Sequence, residues 1–358
     1  MVIEGIAYHP LVVSEVERLT DDAVAISFDV PDELCNQFRF VPGQHVALKT
    51  EIDGRDVRRT YSVCADPAEN RLRIGVKRIP GGTFSTFATS SLLPGDEVEV
   101  AAPYGEFTIE PQPARSQHYA AIAAGSGITP VLAMISAVLS VEPGSRFTLL
   151  FGNRTSTSIM FLEELEGLKD RYPDRFHLIH VLSREIQIIP ILSGRLDEER
   201  LGMLFDAVVD FDSVDRWYLC GPYEMVEAAR TTLTKRGVDD DVISDELFFS
   251  EPAPPVQLPA EQQAVDGVEL TFTLDGRTSS VMVDPDGPPV LTYALEKRRD
   301  TPFSCRGGMC TTCKARVLDG EVRLDLNFAL TSEDLERGYI LTCQAHPTSD
   351  KLTITYDV

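Results

Sequence analysis

Four of the chain's seven cysteines fall within its last 54 residues, at positions 305, 310, 313 and 343. Three share the stretch CRGGMCTTC (305–313), and 29 residues separate Cys313 from Cys343. This spacing constrains folding more than any other feature of the sequence. A sulfide-bridged two-iron cluster takes four thiolates, because each iron is tetrahedral. One short loop presents three thiolates only if its backbone wraps tightly. Gly307 and Gly308 permit that wrapping, since a Cβ there would crowd the sulfides. Backbone N–H groups in such a loop can also point at the sulfurs. Structural zinc and inert thiols are the alternatives. Zinc more often uses two well-separated Cys-x2-Cys pairs, and here one half is split. A disulfide framework is disfavoured by the odd cysteine count and by an acidic start, MVIEGIAYHPLVVSEVERL, that lacks a basic leader region. The pattern therefore predicts an iron–sulfur loop.

The 358 residues suffice for two or three domains. A net charge of −23, spread evenly along the chain, argues against nucleic acid or an anionic membrane as partner. No apolar run reaches about 18 residues, so no membrane-spanning helix is expected and a cytoplasmic location follows. Residues 1–113 alternate in apolar strands (23–30, 44–52, 71–79 and 96–109) divided by turn signals such as Pro42-Gly43 and Pro94-Gly95, which predicts an antiparallel β-barrel. Residues 114–249 change period. Strands at 118–125, 146–153, 176–183 and 216–222 alternate with helices at 130–140, 159–172 and 223–237, predicting an α/β doubly wound sheet. Residues 250–264 hold four prolines and read as an extended linker. Residues 265–358 form an α+β unit: a hairpin at 268–283 turning on Asp275-Gly276, a helix at 289–299, the cysteine loop and a closing strand at 351–358.

Residues 265–358 resemble a plant-type ferredoxin domain, through CRGGMCTTC and GYILTCQAHP (338–347). The resemblance implies a β-grasp-like fold and a [2Fe–2S] cluster on Cys305, Cys310, Cys313 and Cys343. Cys35 and Cys64 read as ordinary core or loop cysteines. A cluster moves one electron at a time, so an electron source must precede it. AGSGITP (124–130) follows a buried strand and opens a helix, where glycines and a helix N-terminus suit a pyrophosphate. Alone it could be a simple β–α turn, because Pro130 stands where a dinucleotide fingerprint ends in glycine. RRTYS (58–62), VKRIPGGTFSTF (76–87), GSGITP and CGP (220–222) occur in the order of the ferredoxin–NADP reductase superfamily, which residues 1–249 resemble.

That resemblance implies a flavin on the barrel. Arg59 would pair with a phosphate, Tyr61 would lie against the isoalloxazine ring, and Ser62 would bond near N5, with Thr60 between them. Val76, Lys77, Phe84 and the Gly81-Gly82…Ser85 turn would complete the site, the turn contacting a second phosphate. A hairpin turn is the plainer reading of Gly81-Gly82. The form VKRIPGGTFS looks more like FAD than FMN members. Gly125, Ser126, Gly127 and Thr129 would cradle the nucleotide, and Cys220 and Gly221 would sit near the nicotinamide. Ser183, Arg184 and Arg154 follow strand ends and suit a 2′-phosphate, which favours NADPH over NADH. Phe248 and Phe249 would screen the flavin or pack in the core. No acid–base dyad stands out, and the six histidines show no metal-ligand spacing.

The whole chain resembles the reductase components of multicomponent oxygenases, which pass electrons from NADPH through flavin and cluster to an oxygenase. Reductase subunits of phenylacetyl-CoA epoxidases share RFVPGQHVALK (39–49), TLLFGNRTSTSIMF (148–161) and LDLNFALTSEDLERGYILTCQA (324–345), implying di-iron epoxidase subunits as partner. Reductases of 3-ketosteroid 9α-hydroxylase, with a Rieske oxygenase partner, are the competing branch. LNFAL (326–330) favours the first. A binding module that has lost electron transfer is disfavoured, because the four cysteines, Tyr61 and Ser62 are all present.

Overall fold

The computed structural model describes residues 7–69, 71–248, 267–303 and 305–357. The linker expected at 250–264 lies outside them, as does Phe249. The chain divides into two compact units, Tyr8–Glu251 and a second within Pro252–Val358.

The first unit opens with a barrel. Strands β1 (Tyr8–Thr20), β2 (Ala23–Asp29), β3 (His45–Ile52), β4 (Arg55–Ser62), β5 (Leu72–Lys77) and, after helix α1 (Thr83–Ser90), β6 (Glu97–Ala101) form an antiparallel sheet ordered β4-β3-β6-β1-β2-β5. A bridge between Val63 and Ile74 closes its two edges. Inward residues of period two, such as Val46 and Leu48 on β3, and Leu72, Ile74 and Val76 on β5, fill one apolar core. The strand expected over 96–109 stops at Ala101. Pro103 offers no N–H donor, and Gly105 takes φ +121°, a conformation no strand sustains.

The α/β half follows: β7 (His118–Ala124), α2 (Ile128–Val141), β8 (Arg146–Asn153), α3 (Leu162–Arg171), β9 (Phe176–Leu182), α4 (Glu198–Ala207), β10 (Arg216–Gly221), α5 (Tyr223–Lys235) and β11 (Ile243–Leu247). All five strands are parallel, ordered β11-β10-β7-β8-β9, so the order reverses between β7 and β10. A ligand crevice lies outside such a switch point. Helix α3 starts three residues later than the apolar pattern suggests, because Phe161 takes φ +58° and forms its N-cap. Barrel residues Ala23, Ala25, Cys64 and Phe107 share a core with α2 and β7, which welds barrel and sheet into one body. Among the described residues no helix is long and apolar enough to cross a membrane.

The second unit contains β12 (Val268–Leu274), β13 (Arg277–Val283), α6 (Val290–Lys297), β14 (Lys314–Asp319), β15 (Val322–Leu324), α7 (Ser332–Glu336), β16 (Tyr339–Leu341), β17 (Ala345–Pro347) and β18 (Lys351–Thr355). The main sheet is ordered β13-β12-β18-β14-β16, with β12 and β18 parallel. Asp275 (φ +52°) and Gly276 (φ +68°) make the two-residue hairpin turn that Asp-Gly favours.

Candidate functional site

Alternation on β4 divides Arg-Arg-Thr-Tyr-Ser between two faces. Arg59 and Tyr61 share the half-exposed face, whereas Arg58 and Ser62 are buried and Thr60 is intermediate. The Tyr61 ring lies 5.3 Å from the Phe84 ring. Burial pushes its phenol above its ordinary value, against the opposing pull of Arg59. It is a neutral aromatic plate, of the kind a planar ring packs against. Arg59 Nη1 donates to the Arg58 carbonyl at 2.6 Å. Beyond Val76, which is buried, Lys77 Nζ donates to the Ser158 carbonyl at 3.4 Å, and burial lowers its ammonium while Asp22 opposes that shift.

Gly81-Gly82 is not a hairpin turn: it opens helix α1, with Gly81 at φ +73° and Gly82 as N-cap. The Ser85 hydroxyl accepts from Ile79 N (3.1 Å) and donates to the Gly82 carbonyl (3.4 Å). It is thus engaged within the loop, and the first-turn N–H groups of α1 are the donors a phosphate could meet.

At the switch point β7 runs into Gly125 (φ +55°), Ser126 and Gly127, and Thr129 Oγ1 donates to the Ser126 carbonyl at 3.0 Å. A Cβ on Gly127 would lie 2.2 Å from the Cys220 carbonyl oxygen, and one on Gly221 would lie 3.3 Å from Ala124 Cβ. Only glycine lets these two turns meet. The Cys220 thiol is fully buried, and burial first, then Glu246 and Asp245, push its pKa well up. Its backbone carbonyl, by contrast, meets the Gly127 turn. Arg154, Ser183 and Arg184 stand together and exposed at the ends of β8 and β9, where Arg184 N donates to the Arg154 carbonyl at 2.8 Å. The Ser183 hydroxyl donates to the Asn153 carbonyl at 3.3 Å. Glu185, next in sequence, accepts from Ser156 N (3.1 Å) and Ser156 Oγ (2.9 Å). Phe248 packs against the shared core, its N–H donating to the Gly221 carbonyl at 2.8 Å.

Sequence reading found no acid–base dyad, yet the fold brings a hydroxyl, a carboxylate and an imidazole together at the seam. Ser62 Oγ donates to Glu246 Oε2 at 3.5 Å, and His45 Nδ1 lies 3.3 Å from Glu246 Oε1. Register places His45 opposite Ser62 on the barrel and Glu246 opposite Cys220 on the sheet. His45 Nε2 is buried without a hydrogen-bond partner. Glu246 is 184 residues from Ser62, so no local pattern could have joined them.

In the second unit the cysteines gather as two pairs. Cys305 and Cys310 lie close enough to hydrogen-bond, which lowers the Cys305 thiol and raises that of Cys310, and Cys313 and Cys343 do the same with Cys343 lowered and Cys313 raised. Gly307 N donates to Cys305 Sγ at 3.4 Å and Gln344 Nε2 to Cys343 Sγ at 3.6 Å. Such donors stabilise thiolates. Gly308 is required: it has φ +74°, and a Cβ would lie 3.0 Å from the Leu326 carbonyl. Gly307 is not, since a Cβ there would come no closer than 3.9 Å to the protein, and Arg306 takes the second left-handed turn (φ +54°). All seven cysteines are free. Among the described residues no three His, Cys, Asp or Glu side chains gather for one metal ion. Two thiols for each of two irons is the ligand count of a sulfide-bridged two-iron cluster.

Three family models match the chain: an oxidoreductase FAD-binding domain over residues 10–109, an oxidoreductase NAD-binding domain over 121–231 and a 2Fe-2S iron-sulfur cluster binding domain over 272–348. Fold and site together define an NAD(P)H-dependent flavin and iron–sulfur oxidoreductase. The chain is 41% identical over 350 residues to a subunit of the 1,2-phenylacetyl-CoA epoxidase of Escherichia coli (strain K12), covering 98% of both chains. It is 34% identical to the ferredoxin reductase component of Mycolicibacterium smegmatis 3-ketosteroid-9-alpha-monooxygenase, covering 97% of this chain and 96% of that one. Phthalate dioxygenase reductase shares the fold, with a TM-score of 0.61 at 20% identity over 97% of this chain and 98% of that one. The chain belongs to the family of reductase components of multicomponent oxygenases.

Proposed function

We propose that this reductase takes a hydride from NADPH onto FAD and delivers single electrons through a [2Fe–2S] cluster to a di-iron phenylacetyl-CoA epoxidase in the cytoplasm. The observation that carries the partner is the 41% identity, across 98% of both chains, to one component of such an epoxidase. When bound, the flavin converts a two-electron donor into single electrons, and the cluster carries them onward.

The chain's own residues bind and orient. Arg59 and the first turn of α1 would hold the flavin phosphates, and Tyr61 would flank the ring. Thr60, Val76, Phe84 and Ser85 shape the surrounding ledge. Glu246 accepts from Ser62 Oγ and lies beside the His45 ring, so it orients the hydroxyl at the barrel–sheet seam. The buried Cys220 lies opposite Glu246 in register on the adjoining strand. Gly125, Ser126, Gly127, Thr129 and Gly221 form the cradle for the dinucleotide at the switch point. Lys77 faces the same cleft, near enough to Arg154 for the two charges to interact. Arg154 and Arg184 present exposed guanidinium groups to a 2′-phosphate beside Ser183, while Ser156 holds the Glu185 carboxylate. Cys305, Cys310, Cys313 and Cys343 would ligate the cluster.

Two experiments test the reading. Reconstitution with candidate oxygenases should give product from phenylacetyl-CoA, whereas turnover with a 3-ketosteroid oxygenase alone would assign the chain to the other branch. Arg184→Glu should raise KM for NADPH about tenfold or more, roughly 1.4 kcal/mol of lost binding, and spare NADH. A wild-type preference for NADH would refute the 2′-phosphate site.

A further inference from the structure

Strand β5 turns one set of side chains into the barrel core and the other toward the α/β half, and every member of the second set meets that half. Arg73 is buried, 6% exposed, and its guanidinium lies 5.1 Å from the Phe161 ring. The same group bonds Glu17 of the barrel at 2.6 Å and Glu164 of α3 at 2.9 Å and 3.0 Å. Gly75 comes next on this face. A Cβ there would lie 2.6 Å from Thr129 Cγ2 and 2.9 Å from Phe161 Cζ. The third member is Lys77, with its contact to the Ser158 carbonyl. Phe161 itself sits at φ +58°, ψ +31°, a left-handed conformation that is an outlier for a bulky side chain. An unfavourable backbone persists only where its surroundings hold it. Here it sets a 2% exposed ring against the one residue of β5 that has no side chain.

These contacts join the strand that ends at the flavin ledge to Thr129, the first turn of the nucleotide helix. We infer that Gly75 and Phe161 are positioning residues that fix the distance between bound flavin and bound nicotinamide across the barrel–sheet seam. The inference rests on the hydride-transfer reading above. The Gly75 backbone packs directly on the Thr129 methyl and the Phe161 ring, and the left-handed Phe161 backbone sets that ring in place, so little slack is left in that distance. Small misplacements of donor and acceptor cost rate steeply, by about a hundredfold for roughly 1 Å.

The test uses the full-length holoprotein and anaerobic rapid mixing with NADPH and its 4-deuterated form. Gly75→Ala should lower the limiting rate of flavin reduction about tenfold or more. The primary isotope effect should rise, while flavin content and the apparent Kd of NADPH stay close to wild type. Thr129→Ser added to Gly75→Ala removes the atom nearest the new Cβ and should return part of the rate. Phe161→Gly suits the left-handed backbone but deletes the ring, so it should reproduce the slow, isotope-sensitive reduction even if Gly75→Ala fails to fold. Wild-type rates and isotope effects in both single variants would overturn the inference. So would a loss of rate matched by an equal loss of bound flavin. A wild-type flavin that neither NADPH nor NADH reduces would instead overturn the hydride reading, and the seam's role with it.

Discussion

Replacing Gly127 with alanine tests the switch-point crevice at its tightest contact. The added Cβ would stand 2.2 Å from the Cys220 carbonyl oxygen, 2.6 Å from the Cys220 carbonyl carbon and 3.0 Å from Gly221 N. All three are backbone atoms, so no rotamer change relieves the clash. The two turns must part by about 1 Å, which costs about 1–3 kcal/mol as overpacking. The same parting moves the nucleotide cradle relative to the flavin, and a misplacement of that size costs about a hundredfold in rate. The assay is anaerobic flavin reduction by NADPH, with NADP+ titration and thermal melting alongside. The expected outcome is weaker nucleotide binding, reduction slowed by about two orders of magnitude and a melting temperature lower by about 2–4 °C or more. A variant that binds NADP+, reduces flavin and melts as the wild type does would refute the claim that these turns touch.

Cys343→Ser should leave flavin reduction by NADPH intact and abolish electron delivery to the oxygenase, because Cys343 completes one thiol pair far from the flavin in sequence. Equal loss of both activities would contradict the order of transfer. His118 predicts an acid weakness: its ring is buried between Ser213 Oγ and Thr148 Oγ1, both at 2.8 Å, and burial lowers its pKa to about 4. The unfolded chain binds this proton first as pH falls below about 6.5, so stability is full above that value and is lost as pH falls toward 4. At pH 5 the loss attributable to this group is up to about 2 kcal/mol. Urea unfolding at pH 7 and pH 5 should show a smaller acid loss in His118→Gln than in wild type, and equal losses would exclude His118 as the cause.

Much of the architecture was legible because burial imposes periods. Two-residue alternation marked β2, β3 and β5, and the change to helical period marked the α/β half. Strand β1 was missed because Pro10 interrupts it and its later half alternates charges rather than apolar residues. Helix α1 was missed because TFSTFATS is rich in residues with little helix preference, and tertiary packing of Phe84 and Ala88 overrides them. Strand β11 is ISDEL, whose two acids hide its pairing with β10. That strand carries Glu246, so missing it also hid the Ser62–Glu246–His45 group. The spacing of the cysteines pointed to a cluster loop, but not to how β16 returns the chain beside β14 near Cys343. Roles for single glycines were only partly readable: Gly307 and Gly308 look alike in sequence, yet only Gly308 has a positive φ.

The place of β18 in its sheet bears on how this protein is made. It lies between β12 and β14, in the interior of the sheet, although it follows both in sequence. On the ribosome the flavin and nucleotide half can finish folding while the cluster-bearing unit still lacks a central strand. A translation product that ends before Lys351 would keep the site that takes electrons in and lose the frame of the site that lets them out.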